Sequence, residues 1–171
     1  MARTHRYTAR LVWEGSTGPG YAGYDRAHRV ATPPAGAELA VSADPTFRGD
    51  AALVNPEQLL LAAASSCQLL SFLALAAQAR VDVVAYEDDA EAVMPMDATP
   101  VRITRLTLRP TVTVTPGTDL NRVRTLIDAA HESCYIANTL TADIVIEPTI
   151  EHLGERPDMP QAEPGNGDVR S

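Results

Sequence analysis

From Gln58 to Ala79 the chain carries no charged residue, and nearly every residue is a good helix former. Just ahead of this run, Asn55 can cap a helix with its side-chain oxygen, and Pro56 suits the first helical position. Glu57 falls in the first turn, where the helix dipole favours a carboxylate. The pattern predicts one long helix over Asn55–Ala79. A helix apolar around most of its circumference must be buried on several sides. The run is long enough for a membrane span. Its Ala and Ser content, Gln68 and Gln78, and ends without Trp or Tyr favour instead a soluble central helix shared with a partner subunit.

On either side the pattern changes to short alternating segments. Arg6–Glu14, Tyr24–Ala31 and Glu38–Ala43 read as strands, with the Gly/Pro segment Ser16–Gly23 as a turn between the first two. Alternation places Tyr24, Arg26, His28 and Val30 on one face of the second strand. Asp44–Ala51 is a polar loop leading into the helix. Beyond the helix, Val81–Met94 and Val101–Thr115 read as two arms of a hairpin turned at Pro95–Pro100, with Pro110 interrupting the ladder. Pro116 and Gly117 break the strand, and Thr118 is placed to cap a second helix. Its apolar stripe is Leu120, Val123, Ile127 and Ala130, and it ends near Cys134. Ile144–Glu147 is the last strand. This is an α+β arrangement with largely antiparallel pairing, a single domain over residues 1–150. Residues 151–171, rich in Pro and Gly, read as a disordered tail.

The 171 residues suffice for one substantial core. With 14 basic against 22 acidic residues the net charge is −8, which argues against nucleic acid or an anionic membrane surface as partner. Residues 1–14 read as a strand rather than a secretory leader, so a cytoplasmic protein is expected. In that compartment a disulfide between the two cysteines is a catalytic rather than a structural device.

Those cysteines, Cys67 mid-way along the first helix and Cys134 at the end of the second, are the main candidates for chemistry. As residues alone they fit either two ordinary buried thiols or a peroxidatic pair, in which one thiolate is oxidised to sulfenic acid and the other condenses with it. The second reading needs a cation to activate the thiolate and a carboxylate to hold that cation, and Arg with Glu meets both needs. His131 and Cys134 form H-x-x-C, but with Cys67 they fall short of a four-ligand zinc set. The acidic run Glu87–Glu91 lacks the glycine and terminal glutamate of a calcium loop. No phosphate-binding glycine loop appears.

Two blocks stand out together: Asn55-Pro56-Glu57-Gln58-Leu59 followed by Cys67, and Ala130-His131-Glu132-Ser133-Cys134. In these the chain resembles the OsmC/Ohr family of thiol peroxidases, over about residues 5–150. The resemblance implies an OsmC-like α+β fold in which two subunits intertwine as a homodimer, central helices back to back. It implies reduction of organic hydroperoxides or hydrogen peroxide without metal or cofactor, and a dithiol reductant such as lipoamide on a carrier protein. By match, Cys67 is the peroxidatic thiol, Cys134 the resolving thiol, and Glu57 the carboxylate that orients an arginine. Family members with a Gly-Arg-Asp-Gly turn carry that arginine on an early strand, where this chain reads Tyr24-Asp25-Arg26-Ala27-His28. Arg26 is therefore the choice, with Arg29 and Arg48 as rivals. A different class, a non-catalytic homodimer holding a small apolar ligand between subunits, is the alternative.

Glu57 and Cys67 are ten residues apart, so in one straight helix they lie about 15 Å apart along the axis and about 80° apart around it. No Pro or Gly between them provides a kink. If both serve one site, Glu57 of one chain must meet Cys67 of a two-fold partner.

Overall fold

In the computed structural model of the chain, which describes residues 4–154, the long helix starts with a reciprocal capping box. The Asn55 side-chain oxygen accepts from the Gln58 N–H at 2.8 Å, and Gln58 Oε1 accepts from the Asn55 N–H at 3.0 Å. The helix, α1, then runs unbroken over Pro56–Gln78. It closes with the Val81 N–H on the Ala76 carbonyl at 2.9 Å and the Arg80 N–H on the Ala77 carbonyl at 3.1 Å. Arg80 takes the left-handed conformation (φ 57) that glycine usually fills at this position.

Two units of the chain are separately compact. One comprises the chain up to Ser66 with Ala90–Leu106 and Thr141–Asp143; the other comprises Cys67–Asp89, Thr107–Leu140 and the chain from Ile144.

In the first unit a three-stranded antiparallel sheet is built from β1 (Arg10–Val12), β2 (His28–Ala31) and β3 (Glu38–Val41), in that order. These strands are shorter than the alternation predicts. Tyr24 and Arg26 lie ahead of β2 rather than on it, because local bonds take over the backbone there. The Asp25 carboxylate accepts from the Ala27 N–H at 2.9 Å, and the Arg26 guanidinium takes up the Tyr21 and Tyr24 carbonyls. Trp13 fixes the same loop by donating its indole N–H to the Asp25 carbonyl at 2.8 Å.

The predicted hairpin is present, but both of its arms change sheets midway. The first arm splits into β4 (Val83–Asp88) and β5 (Glu91–Val93), and the second into β6 (Arg105–Leu108) and β7 (Pro110–Val114). β4 pairs antiparallel with β7, and β5 neighbours β6, which in turn neighbours β8 (Asp143–Ile146). At the switch, Asp88 accepts from the backbone N–H of Arg109 at 2.7 Å. That gives the start of the acidic run a structural task.

In the second unit, the sheet of β4, β7 and β9 (Thr149–His152) and helix α2 (Leu120–Ser133) enclose a core of Phe72, Ala76, Val81, Val112, Val114, Val123, Ile127 and Ala130. Strand β9 (Thr149–His152) runs parallel to β7. It lies partly beyond the boundary expected at residue 150, and the alternation did not reveal it. The rest of the expected tail, from residue 155, lies outside the described residues. The cap of α2 is Asp119, not Thr118: its carboxylate accepts from the N–H groups of Asn121 at 2.9 Å and Arg122 at 3.4 Å. A carboxylate suits the positive end of a helix better than a hydroxyl does.

Along α1 the fully buried positions are Ala64, Gln68, Phe72 and Ala76, one residue per turn on a single stripe. Leu70 and Leu73 remain 64% and 37% exposed. By length and composition α1 is the one helix among the described residues apolar enough to cross a membrane, and only 22% of its most apolar window is buried. The expected burial on several sides is not achieved within one chain.

Candidate active site

Both cysteines belong to the second unit, and the fold brings them together. Cys67 follows from its position on α1, half-buried, with Ser71 one turn further along the same face. Cys134 is the residue that ends α2; it is buried, and its N–H donates to the His131 carbonyl at 3.2 Å. The chain then turns sharply through Tyr135 and Ile136 into a short 3-10 segment, Ala137–Thr139. The Ala137 N–H points at the Cys134 sulfur at 3.5 Å, and the Asn138 N–H closes the turn on the Cys134 carbonyl at 3.0 Å.

Burial, the contact between the two sulfurs and this turn together shift the two thiols. Burial pushes the Cys67 thiol up, but hydrogen bonds to its sulfur outweigh that and leave it below the ordinary thiol value. They come from the Cys134 thiol, then from the backbone N–H groups of Ile136 and Tyr135, and then from the Ser71 hydroxyl. Cys134 moves the opposite way, raised first by burial and then by donating to Cys67. Of the two thiols, Cys67 is therefore the one that ionises first. Backbone N–H groups of the turn thus act on both sulfurs, Tyr135 and Ile136 on Cys67 and Ile136 and Ala137 on Cys134. Chemically, the pair offers a more acidic, more nucleophilic thiol at Cys67 with a second thiol in contact with it.

Glu57 and the candidate arginines belong to the first unit. Glu57, in the first turn of α1, lines a cleft of about 240 Å³ together with Asp44, Asn55, Gln58, Leu61, Ala92, Met94 and Ile103. Its lining combines two carboxylates and two amides with four apolar side chains. The Asp44 side is held by a tight turn in which Gly49 passes against the Ala43 carbonyl, where a Cβ would collide. Asn55 Nδ2 reaches the Asp44 carboxylate at 3.4 Å. Of the three arginines, Arg26 is buried while Arg29 and Arg48 are exposed. The Arg26 guanidinium donates to the Tyr24 carbonyl at 2.9 Å and the Tyr21 carbonyl at 2.7 Å. It also lies over both rings, 3.9 Å from the centre of Tyr24 and 4.9 Å from that of Tyr21. Arg29 stands on β2 opposite Val12, and Arg48 ends the Pro45–Phe47 3-10 turn in the left-handed conformation.

Sequence reasoning missed Ser71, Tyr135 and Ile136. Ser71 was reachable, since four residues on from Cys67 is the same helix face. Tyr135 and Ile136 act through their N–H groups, which leave no mark in residue type. Among the described residues no three His, Cys, Asp or Glu side chains gather as a metal-ligand set.

The sequence model of the OsmC-like protein family matches residues 49–149. Among solved structures, an OsmC-like protein of unknown function from Vibrio cholerae is 28% identical, with a TM-score of 0.77, over 85% of this chain and 99% of that one. An organic hydroperoxide resistance protein from Legionella pneumophila is 16% identical, with a TM-score of 0.62, over 88% and 99%. The organic hydroperoxide resistance protein OhrB of Bacillus subtilis is 18% identical, with a TM-score of 0.55, over 84% and 97%. The last two likenesses are of fold. No curated protein matches the chain.

Proposed function

Since the chain belongs to the OsmC-like protein family, we propose that it is a cysteine-based thiol peroxidase reducing organic hydroperoxides through a Cys67–Cys134 disulfide. The observation that carries this is the hydrogen-bonded thiol pair, with Cys67 lowered and Cys134 raised. A binding protein has no need of such a division. The Cys67 thiolate attacks the terminal oxygen of the hydroperoxide; an S–O bond forms, the O–O bond breaks, and the alkoxide leaves as the alcohol after taking a proton. Cys67 is then a sulfenic acid. Cys134 attacks that sulfur; the S–S bond forms, the S–O bond breaks, and the oxygen leaves as water. A dithiol, such as lipoamide on a carrier protein in a reducing cytoplasm, returns the pair to thiols by exchange. Hydrogen peroxide fits the same steps.

The active form in this proposal is a homodimer. The apolar surface that α1 leaves uncovered, with Leu70 and Leu73 exposed, supports it, because a second α1 supplies the missing cover. Glu57 of one chain then serves Cys67 of the partner. Arg26, the buried arginine of the three, is assigned to activate the thiolate. The apolar wall formed by Leu61, Met94 and Ile103 beside Glu57 suits the organic tail of a hydroperoxide. The same wall favours the second reading, a non-catalytic dimer binding a small apolar ligand there.

Single-turnover peroxide consumption separates the roles. Cys67→Ser should consume none, whereas Cys134→Ser should consume one equivalent and stop as a trapped sulfenic acid. Equal loss in both variants refutes the assignment.

A further inference from the structure

Gln68 follows Cys67 directly and is 1% exposed, among the most buried polar side chains described. Its Nε2 donates to the Ile127 carbonyl of α2 at 3.0 Å, across 59 residues of sequence. Its Oε1 is buried and has no hydrogen-bond partner. The Ile127 carbonyl sits inside α2, where the helix itself supplies a donor from four residues on, so Gln68 is not needed to satisfy it. A methionine would fill the same space without the unpaired oxygen. The side chain thus carries a cost that packing does not explain.

The position of the bond offers the explanation. The neighbours of Gln68 on the buried stripe, Phe72 and Ala76, make apolar contacts, and such contacts are non-directional and resist sliding only weakly. A hydrogen bond fixes distance and angle. A disulfide tolerates little error, since its Cα atoms must stand within about 4.4–6.8 Å. Ile127 lies two helical turns before Cys134, so a bond from the residue beside Cys67 to Ile127 sets how far along α2 the Cys67 turn rests.

We propose that Gln68 is a positioning residue for disulfide closure: its bond to Ile127 holds α1 and α2 in the register that keeps the Cys67 and Cys134 sulfurs within bonding reach. This rests on the peroxidase reading for its purpose but not for its test. In a glutathione buffer the two thiols lose two electrons and two protons to glutathione disulfide, forming one S–S bond and releasing two glutathiones, with no peroxide involved.

The experiment measures that equilibrium for the wild-type chain, Gln68→Met and Phe72→Leu, each also melted thermally to score stability. Phe72→Leu damages the same core without touching the bond. Gln68→Met should lower the disulfide equilibrium constant at least tenfold, a rise in potential of about 30 mV, and Phe72→Leu should leave it within twofold even where it melts earlier. A Gln68→Met value within twofold of wild type overturns the inference. So does an equal fall in Phe72→Leu, which would mean that core stability alone sets the equilibrium. A tenfold fall in a protein that leaves hydroperoxides untouched supports the inference and overturns only the peroxidase reading.

Discussion

Whether one chain or two supply each active site can be decided by a mixed dimer. α1 is unbroken over Pro56–Gln78, so the ten-residue step from Glu57 to Cys67 corresponds to about 15 Å of rise with the side chains about 80° apart. A glutamate side chain spans only a few ångströms, so it cannot close that gap along its own helix. A two-fold arrangement of α1 helices removes the difficulty by bringing the start of one towards the middle of the other. The perturbation is to combine Glu57→Ala chains with Cys67→Ser chains and isolate the heterodimer by two affinity tags. One composite site then retains both groups and the other has neither, so peroxide consumption per dimer should return to about half of wild type. In an unsorted equal mixture, where about half of the dimers are mixed, the return is about a quarter. If the heterodimer is as inactive as the two parents, both groups act within one chain and the composite site is wrong.

Three further outcomes follow from the geometry. Replacing Cys134 by Ala removes the strongest of the contacts that lower Cys67, so the pH midpoint for alkylation of Cys67, followed by mass spectrometry, should move upward. The thiolate is the reactive form, so this means slower alkylation at neutral pH; an unchanged midpoint contradicts a lowering of Cys67 by Cys134. Arg26→Ala should also slow iodoacetamide at Cys67 at neutral pH, with Arg48→Ala mattering less, and the reverse ranking transfers the role to the Asp44–Asp50 loop. Tyr86 has a buried hydroxyl without a hydrogen-bond partner, and burial followed by the Asp88 charge pushes its ionisation upward. Folding therefore resists loss of that proton, and stability falls as pH rises past about 10, where an unfolded tyrosine ionises. Tyr86→Phe should change stability at pH 7 by no more than about 1 kcal/mol and soften that alkaline fall in urea titrations. A large loss at pH 7 would mean that the hydroxyl has a partner.

The long helix was legible because its signals are local: a capping asparagine, a proline at the first position and an uncharged run. The thiol pair was legible as two blocks of sequence, and the contact between the sulfurs is the fold's addition. What alternation could not show was where strands stop. Arg26 sits in an alternating segment, yet its guanidinium draws the Tyr21 and Tyr24 carbonyls away from a ladder, and a side-chain-to-backbone bond of that kind has no period. The change of sheets at Asp88 and Arg109 leaves the alternation intact on both sides, so the segment reads as continuous. β9 was hidden behind Pro148, and its partner β7 lies more than thirty residues back. The Tyr135 and Ile136 contributions at Cys67 come from backbone, which residue identities do not encode.

The central claim is that the two thiols act as one redox unit towards hydroperoxide. It is tested most directly by counting thiols in the reduced protein before and after one equivalent of cumene hydroperoxide. The chain begins with two free cysteines. The account predicts that both titrate before addition, that neither titrates after it, and that one equivalent of cumyl alcohol appears. Two titratable thiols remaining beside unconsumed hydroperoxide would contradict it.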